Sequence, residues 1–234
     1  MKKIFLTVAC ICTGLMLSSC GSDNDDNNPT SQDFVIDARN IENGNDYSLL
    51  IDSVTAVTNY EEEREEDTYF ARYDVLATTN YVNGGFMMTL PANVNSVYLS
   101  VDETEWDGLS ISDRNVKVVG IVPSEQIFAV KSGKLVGEFF YGKRIDDDNR
   151  IYVVYAYADR DVIINGSRTY QVGMTECTEY YNNVTFKKGW NEIYETRSND
   201  DSANTSTEIY TNIKPNDELK WSFRAYYDGI IIAN

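Results

Sequence analysis

The run Ile151-Tyr152-Val153-Val154-Tyr155-Ala156-Tyr157-Ala158 decides the fold class. It is too short for an ordinary helix, and it is dominated by the β-branched and aromatic residues that pack well on a pleated surface. A strand with one face in water alternates apolar and polar residues. This run does not alternate, so both of its faces should be covered and it should lie in the middle of a sheet. Outward from it, from Phe34 onward, turn residues recur at short intervals between runs rich in Val, Ile, Tyr, Phe and Thr, and helical spacing is scarce. The chain therefore reads as all-β, an antiparallel β-sandwich with room for two sandwich halves, 34–122 and 123–234, meeting at Pro123. A calycin-like up-and-down barrel is the alternative, because consecutive hairpins also write that fold.

Two-residue turns set the expected hairpins. Asn83-Gly84 should return a strand over 68–82 into 85–90, Ser132-Gly133 should join 125–131 to 134–141, and Asn165-Gly166 should join 162–164 to 167–172, since these residues accept positive φ. Lys187-Lys188-Gly189 should join 183–186 to 190–196 in the same way. Further strands are expected over 97–101, 116–122, 209–213, 219–225 and 229–233, after a loosely alternating segment over 49–60. Glu61 to Asp67 reads as a solvated loop or short exposed helix, and Ser198 to Thr207 as a polar loop. Asp146-Asp147-Asp148-Asn149 invites a calcium reading, but the sixth and twelfth positions of such a loop, where Gly and a bidentate Glu are needed, hold Ile151 and Tyr157. An acidic turn is expected there, and no metal.

The first residues are of another kind. Lys2 and Lys3 precede the apolar run Ile4 to Leu17, built like a secretory signal, and Leu17-Ser18-Ser19-Cys20 closes it. These residues resemble the lipobox of bacterial lipoprotein signals. The resemblance implies removal of 1–19, acylation of Cys20, and a membrane partner reached through acyl chains, of which stable anchoring needs at least two. Residues 20–33 then form a lipidated, acidic, flexible tether, since Gly21 to Asp33 has no apolar residue. Acidic residues just after the cysteine resemble the export signal that carries Bacteroidetes lipoproteins to the outer face of the outer membrane. The implied location is the outer membrane, lipid-anchored and displayed at the cell surface, with the periplasmic face as the other option. The body is also similar to Bacteroidetes lipoproteins with an all-β body. That likeness rests on Asn43-Gly44-Asn45-Asp46-Tyr47, on Asn83-Gly84-Gly85-Phe86 running into Leu90-Pro91, and on Lys187-Lys188-Gly189-Trp190-Asn191. These are turn-and-strand signatures, which imply a shared fold and name no ligand.

Composition narrows the chemistry. The chain has 20 basic and 37 acidic residues, and without Lys2 and Lys3 the balance is 18 − 37 = −19. Basic residues run at most in pairs such as Lys143-Arg144 and Lys187-Lys188, so no nucleic-acid partner is expected. Histidine is absent, which excludes Ser-His-Asp, Cys-His and His-ligated zinc sites. Cys177, beside Glu176 and Glu179, should be structural or merely exposed rather than reactive. No catalytic residue, cofactor or metal site is assigned. Aromatic residues are the unusual resource, with 17 Tyr, 9 Phe and 3 Trp. Their faces stack on the C–H faces of sugars, so Trp106, Tyr180, Tyr181, Tyr226 and Tyr227, all near expected loops, are the candidate ligand contacts, although the same tyrosines would serve as half-buried strand residues. The expected function is a non-enzymatic binding module for a glycan or glycoprotein. A fimbria-related adhesive subunit that pairs edge strands and a glycoside-active enzyme built on two carboxylates are the alternatives.

The anchor has a direct test. In Cys20→Ser, protein taken from native membranes should lose its acyl mass and move to the soluble fraction. A variant that stays membrane-bound would contradict the lipid anchor.

Overall fold

A computed structural model describes residues 33–65, 68–99, 108–121 and 126–232, with side chains over 33–59, 71–99, 108–120 and 126–226. Its strands are β1 (Phe34–Ala38), β2 (Ser53–Glu65), β3 (Thr68–Asn80), β4 (Phe86–Leu90), β5 (Leu109–Ile111), β6 (Val118–Ile121), β7 (Ile127–Lys131), β8 (Lys134–Arg144), β9 (Asn149–Ala158), β10 (Val162–Val172), β11 (Thr175–Phe186), β12 (Gly189–Asp200), β13 (Thr205–Thr211) and β14 (Lys220–Ile232). The β1–β4 pair makes a small antiparallel sheet, and the others make one large sheet in the order β14-β3-β2-β7-β8-β9-β12-β13-β11-β10-β5, with β6 also on β9. Pairing is antiparallel except at β11–β13 and β14–β3. The protein is thus all-β, and no helix among the described residues is long and apolar enough to cross a membrane.

The open order, ending at β5, replaces the closed barrel considered from sequence, although β14 bends back onto β8 and curls that end. Residues 122–125, around the expected seam at Pro123, lie outside the described residues. Strands from its two sides are hydrogen-bonded to each other, β2 to β7, β5 to β10 and β6 to β9, and Asp33–Asn234 forms one compact unit.

The run at 151–158 becomes β9, and successive side chains enter different cores. Val153 and Tyr155 join Ile36, Phe86, Met88 and Leu90 of the small sheet in a core that also holds Val54, Ile127 and Phe139. Val154, Ala156 and Ala158 face the other way, onto Leu109, Val116, Val162, Val184 and Ile193. Both faces are covered, as the missing alternation requires. At the curled end Val57, Ala71, Phe128 and Leu135 form a smaller cluster.

The turn residues placed reversals unevenly. Ser132 and Gly133, both at positive φ, close the β7–β8 hairpin. Asn83 (φ 54°) and Gly84 (φ 80°) also turn the chain, but beyond the Val82–Gly85 bridge β4 leaves β3 and pairs with β1 instead. The reason is burial: Phe86, Met88 and Leu90 alternate along β4 and face the large sheet. Asn165-Gly166 is a β-bulge inside β10, with Gly166 at φ 117°, and the true reversal follows at Gly173. A bulge and a tight turn ask for the same residue, so the local sequence alone does not separate them.

Lys187-Lys188-Gly189 does not close a hairpin either. β13 lies between β11 and β12, and the connection is held by Asn191, whose side chain bonds both the amide and the carbonyl of Lys187 at 2.8 Å. The expected polar loop at 198–207 is a tight β12–β13 hairpin, in which the Asp200 carboxylate accepts from the Ser202 and Ala203 amides. Glu61–Glu65 belong to β2, because β3 satisfies their backbone groups and a run of charges does not oppose a completed ladder. Where a strand was expected at 97–101, Ser96–Tyr98 is a 3₁₀ turn; 100–107 lie outside the described residues.

Phe139 is fully buried and meets the rings of Tyr81, Phe86 and Phe223 at 6.0, 5.1 and 5.1 Å. Phe139→Ala should cost about 3–5 kcal/mol in denaturant unfolding. A loss below about 1 kcal/mol would mean that the two sheets do not pack through this ring.

Candidate functional site

The structure scatters the aromatic residues singled out from sequence. Cys20 and Trp106 lie outside the described residues, and only the backbone of Tyr227 is described. Tyr180 and Tyr181, adjacent on β11, point to opposite faces, as strand geometry demands. Tyr180 is 46% exposed beside Ile209 at 43%, whereas Tyr181 turns inward, stacks on Tyr210 at 4.9 Å and gives its hydroxyl to Glu179. Tyr226 sits at the β14 bulge and donates to Glu138 Oε2 at 2.9 Å. Between β11 and β14 run β13, β12, β9 and β8, so these residues do not form one site.

Tyr181 belongs to a charged row that sequence reading missed. Cross-strand register aligns Arg168 on β10, Glu179 on β11, Glu208 on β13, Arg197 on β12 and Arg150 on β9. Glu179 is 5% exposed and accepts four bonds: Arg168 Nε at 2.6 Å, Arg168 Nη2 at 3.1 Å, and the hydroxyls of Tyr170 and Tyr181 at 3.0 Å. Arg197 reaches Glu195 at 2.8 Å and Glu208 at 3.1 Å, and Tyr210 donates to Glu208 at 2.8 Å. Glu179 and Glu208 are direct neighbours, yet Glu179 is saturated with donors, which suits a structural anion better than a proton shuttle. A local signal was present: in Glu179-x-Tyr181, Glu192-x-Tyr194 and Glu208-x-Tyr210 each hydroxyl donates to the carboxylate two residues back, on the same strand face.

An open concave surface lies elsewhere, where β8 and β14 meet the segment after β1. A hollow of about 720 Å³ has Asp37, Arg39, Asn40 and Glu42 on one wall and Tyr141, Glu218, Leu219, Lys220 and Trp221 on the other. It adjoins a second, of about 550 Å³, lined by residues 39–41, 43–46 and 83–84. Trp221 is 5% exposed and pinned from two sides: its Nε1 donates to the Asp37 carbonyl at 3.1 Å, and its carbonyl accepts from the Glu42 amide at 3.1 Å. Tyr141, its partner across the β8–β14 pair, stacks on the indole with centroids 5.0 Å apart and planes 12° apart. The second hollow is held open by contact between backbones. A Cβ on Gly44 would fall 1.9 Å from the Gly84 carbonyl, and the Tyr81 hydroxyl reaches the Gly44 carbonyl at 2.7 Å.

The cleft mixes an aromatic plate with polar groups. Arg39 grips Asp37 through Nε at 2.9 Å and Nη2 at 2.5 Å, which holds the Asp37 carboxyl below the usual range. Among the described residues nothing accepts the Tyr141 hydroxyl, and burial followed by the Glu192 charge pushes its pKa up, so it stays a donor at neutral pH. Asn40 and Glu42 are exposed, and Glu218 meets Lys220 only at 3.7 Å. Among the described residues no group of three or more Cys, Asp or Glu is placed to hold a metal ion. No family model, curated protein or solved structure matches the chain. No local pattern marked this cleft in the sequence, because its walls come from residues 37–42, 141 and 218–221, which meet through the Ile41–Trp221 bridge and the bonds of Trp221 to Asp37 and Glu42.

Burial raises the pKa of Tyr81 to about 12, and it also lifts Tyr73, Tyr141, Tyr155, Tyr170, Tyr181, Tyr194 and Tyr210. The folded state thus favours neutral phenols. Their contribution to stability is complete below about pH 10, the value for an unfolded tyrosine, and is lost as pH rises above it. Tyrosinate absorbance should therefore rise only partly near pH 10, with the remainder appearing together with loss of the β-sheet circular dichroism. Full reversible titration near pH 10 in the folded protein would contradict the burial.

Proposed function

We propose that the chain is a non-enzymatic binding module, held at the outer membrane by acyl chains on Cys20, displayed outward, and taking a glycan or glycoprotein in the Tyr141–Trp221 cleft. The observation that carries this reading is the Tyr141 ring, backed by a stacked, twice-bonded Trp221 in a hollow of about 720 Å³. That size suits a small ligand, and a fixed aromatic face with a few convergent polar groups is the usual make-up of such a site. Sugar C–H faces stack on such a ring, while Asn40, Glu42 and the Tyr141 hydroxyl meet the sugar hydroxyls. The saturated Glu179 supports binding over catalysis on the buried row. One observation favours the carboxylate enzyme instead: Glu42 and Glu218 both line the cleft.

A glycan array followed by calorimetry on the purified protein tests the proposal. Tyr141→Ala and the exposed Asn40→Ala should each weaken the best glycan by about tenfold, the equivalent of 1.4 kcal/mol. No glycan bound by the wild-type protein, or unchanged affinity in both variants, would overturn it. Release of reducing sugar during the titration, abolished by Glu218→Gln, would move the reading to a glycosidase.

A further inference from the structure

In this acidic chain Arg150 makes no ion pair with a carboxylate among the described residues; Glu195, on the same face and diagonal to it, is held by Arg197. Register places Arg144, Arg150 and Arg197 side by side on β8, β9 and β12, and like charges directly opposite one another destabilise a sheet unless an anion separates them. The outer two are provided for. Arg144 bonds the Asp147 carboxylate and the Asp146 carbonyl, and Arg197 holds Glu195 and Glu208. For Arg150, between them, the one side-chain bond among the described residues runs from Nη1 to the Tyr152 hydroxyl oxygen at 3.3 Å. Its Nε is buried without a hydrogen-bond partner, and no other described side-chain nitrogen or oxygen is in that position. Native proteins rarely leave such a donor unmet, and an ion or a ligand group is one of the few things that can meet it.

The surroundings fit an anion. Tyr152 spends its oxygen as an acceptor and keeps its own O–H to donate. In the neighbouring register row, that of Tyr152, Lys220 on β14 stands beyond Gly142, which puts no side chain between Lys220 and Tyr152. Tyr141 and Trp221 face the other side of the sheet, and Lys220, which also lines their cleft, stands at the start of β14, so a ligand in the cleft would reach Arg150 only around that strand edge. We infer that Arg150 is the centre of an anion site, where its guanidinium and the Tyr152 hydroxyl take a carboxylate or sulfate group, with Arg144 and Lys220 at the rim. A planar guanidinium fork matches both groups in bidentate fashion. The ligand class is then an acidic sugar, carrying a uronate carboxylate or a sulfate ester. For the identity of that carrier the inference rests on the glycan reading; the anion site rests on Arg150.

The test follows the Arg150 Nε–Hε resonance of the purified ¹⁵N-labelled protein by NMR at ~0.15 M salt, where surface charges are screened beyond about 8 Å. Sodium sulfate and sodium acetate are titrated first. Chondroitin tetrasaccharides follow in three forms: sulfated, desulfated, and desulfated with the carboxylates reduced. A saturable shift at Arg150 is expected with the bare anions. Affinity should be about tenfold higher for an anionic tetrasaccharide than for the reduced one, a difference absent in Arg150→Gln and partly kept in Arg150→Lys. Binding of the desulfated form assigns the group to the carboxylate, and binding of the sulfated form alone assigns it to the sulfate ester. Saturation by bare anions with no tetrasaccharide bound keeps the anion site and removes the glycan reading. No saturable change at Arg150 with any anion, or a preference that survives Arg150→Gln, overturns the inference. Should Arg150→Gln fail to fold, the wild-type titration and Arg150→Lys still decide.

Discussion

The structure depends on β9 being buried on both sides. Val153 and Tyr155 need the small sheet over them, and Val154, Ala156 and Ala158 need the layer that carries Leu109 and Val116. Its edges are used as well: β12 runs along one, while β8 and then β6 share the other. Where β8 parts from β9 beyond Gly142, the large sheet divides. One branch curls through β14, and the other runs on through β12 and β13 to β10. A one-residue slip of β9 would exchange every partner between the two cores, so this strand sets the register of the rest.

The two faces of the sheet end differently. The face under β1 and β4 closes on aromatic rings around Phe139, Tyr81 and Trp221, and where that packing reaches the surface it leaves the Tyr141 cleft. On the other face the apolar packing gives way to a Tyr181–Tyr210 stack and then to the Arg–Glu row. Buried ion pairs gain little net stability, since desolvation offsets attraction, but each broken pair is costly. A row of four such residues across four strands therefore penalises wrong registers more than it strengthens the right one. Arg150, next in register after Arg197, has a buried Nε that meets no acceptor among the described residues.

Much of this was legible in the sequence, for identifiable reasons. A run without alternation implies cover on both faces, and Ile151 to Ala158 has that cover. Ser132-Gly133 turned where expected, both residues at positive φ between strands that pair with each other. Asn83-Gly84, Asn165-Gly166 and Lys187–Gly189 carried the same local chemistry with different outcomes, because long-range pairing with β1, β11 and β13 decided where each chain went. The candidate tyrosines lie near expected loops, whereas strand alternation and a Glu-x-Tyr pair sent Tyr181 inward and cross-strand pairing tied Tyr226 to Glu138. The cleft and the Arg144–Arg150–Arg197 alignment join residues distant along the chain, and no local pattern announces such a meeting.

Amide hydrogen exchange of the native protein, resolved by residue, tests the central claim most directly. If β9 is covered on both faces and bonded along both edges, the amides of Val153 to Ala158 should be among the slowest to exchange and should open only with global unfolding, while those of β5 and β1 exchange sooner. Exchange of the β9 amides as fast as that of β5, or their opening apart from the rest of the sheet, would contradict the account.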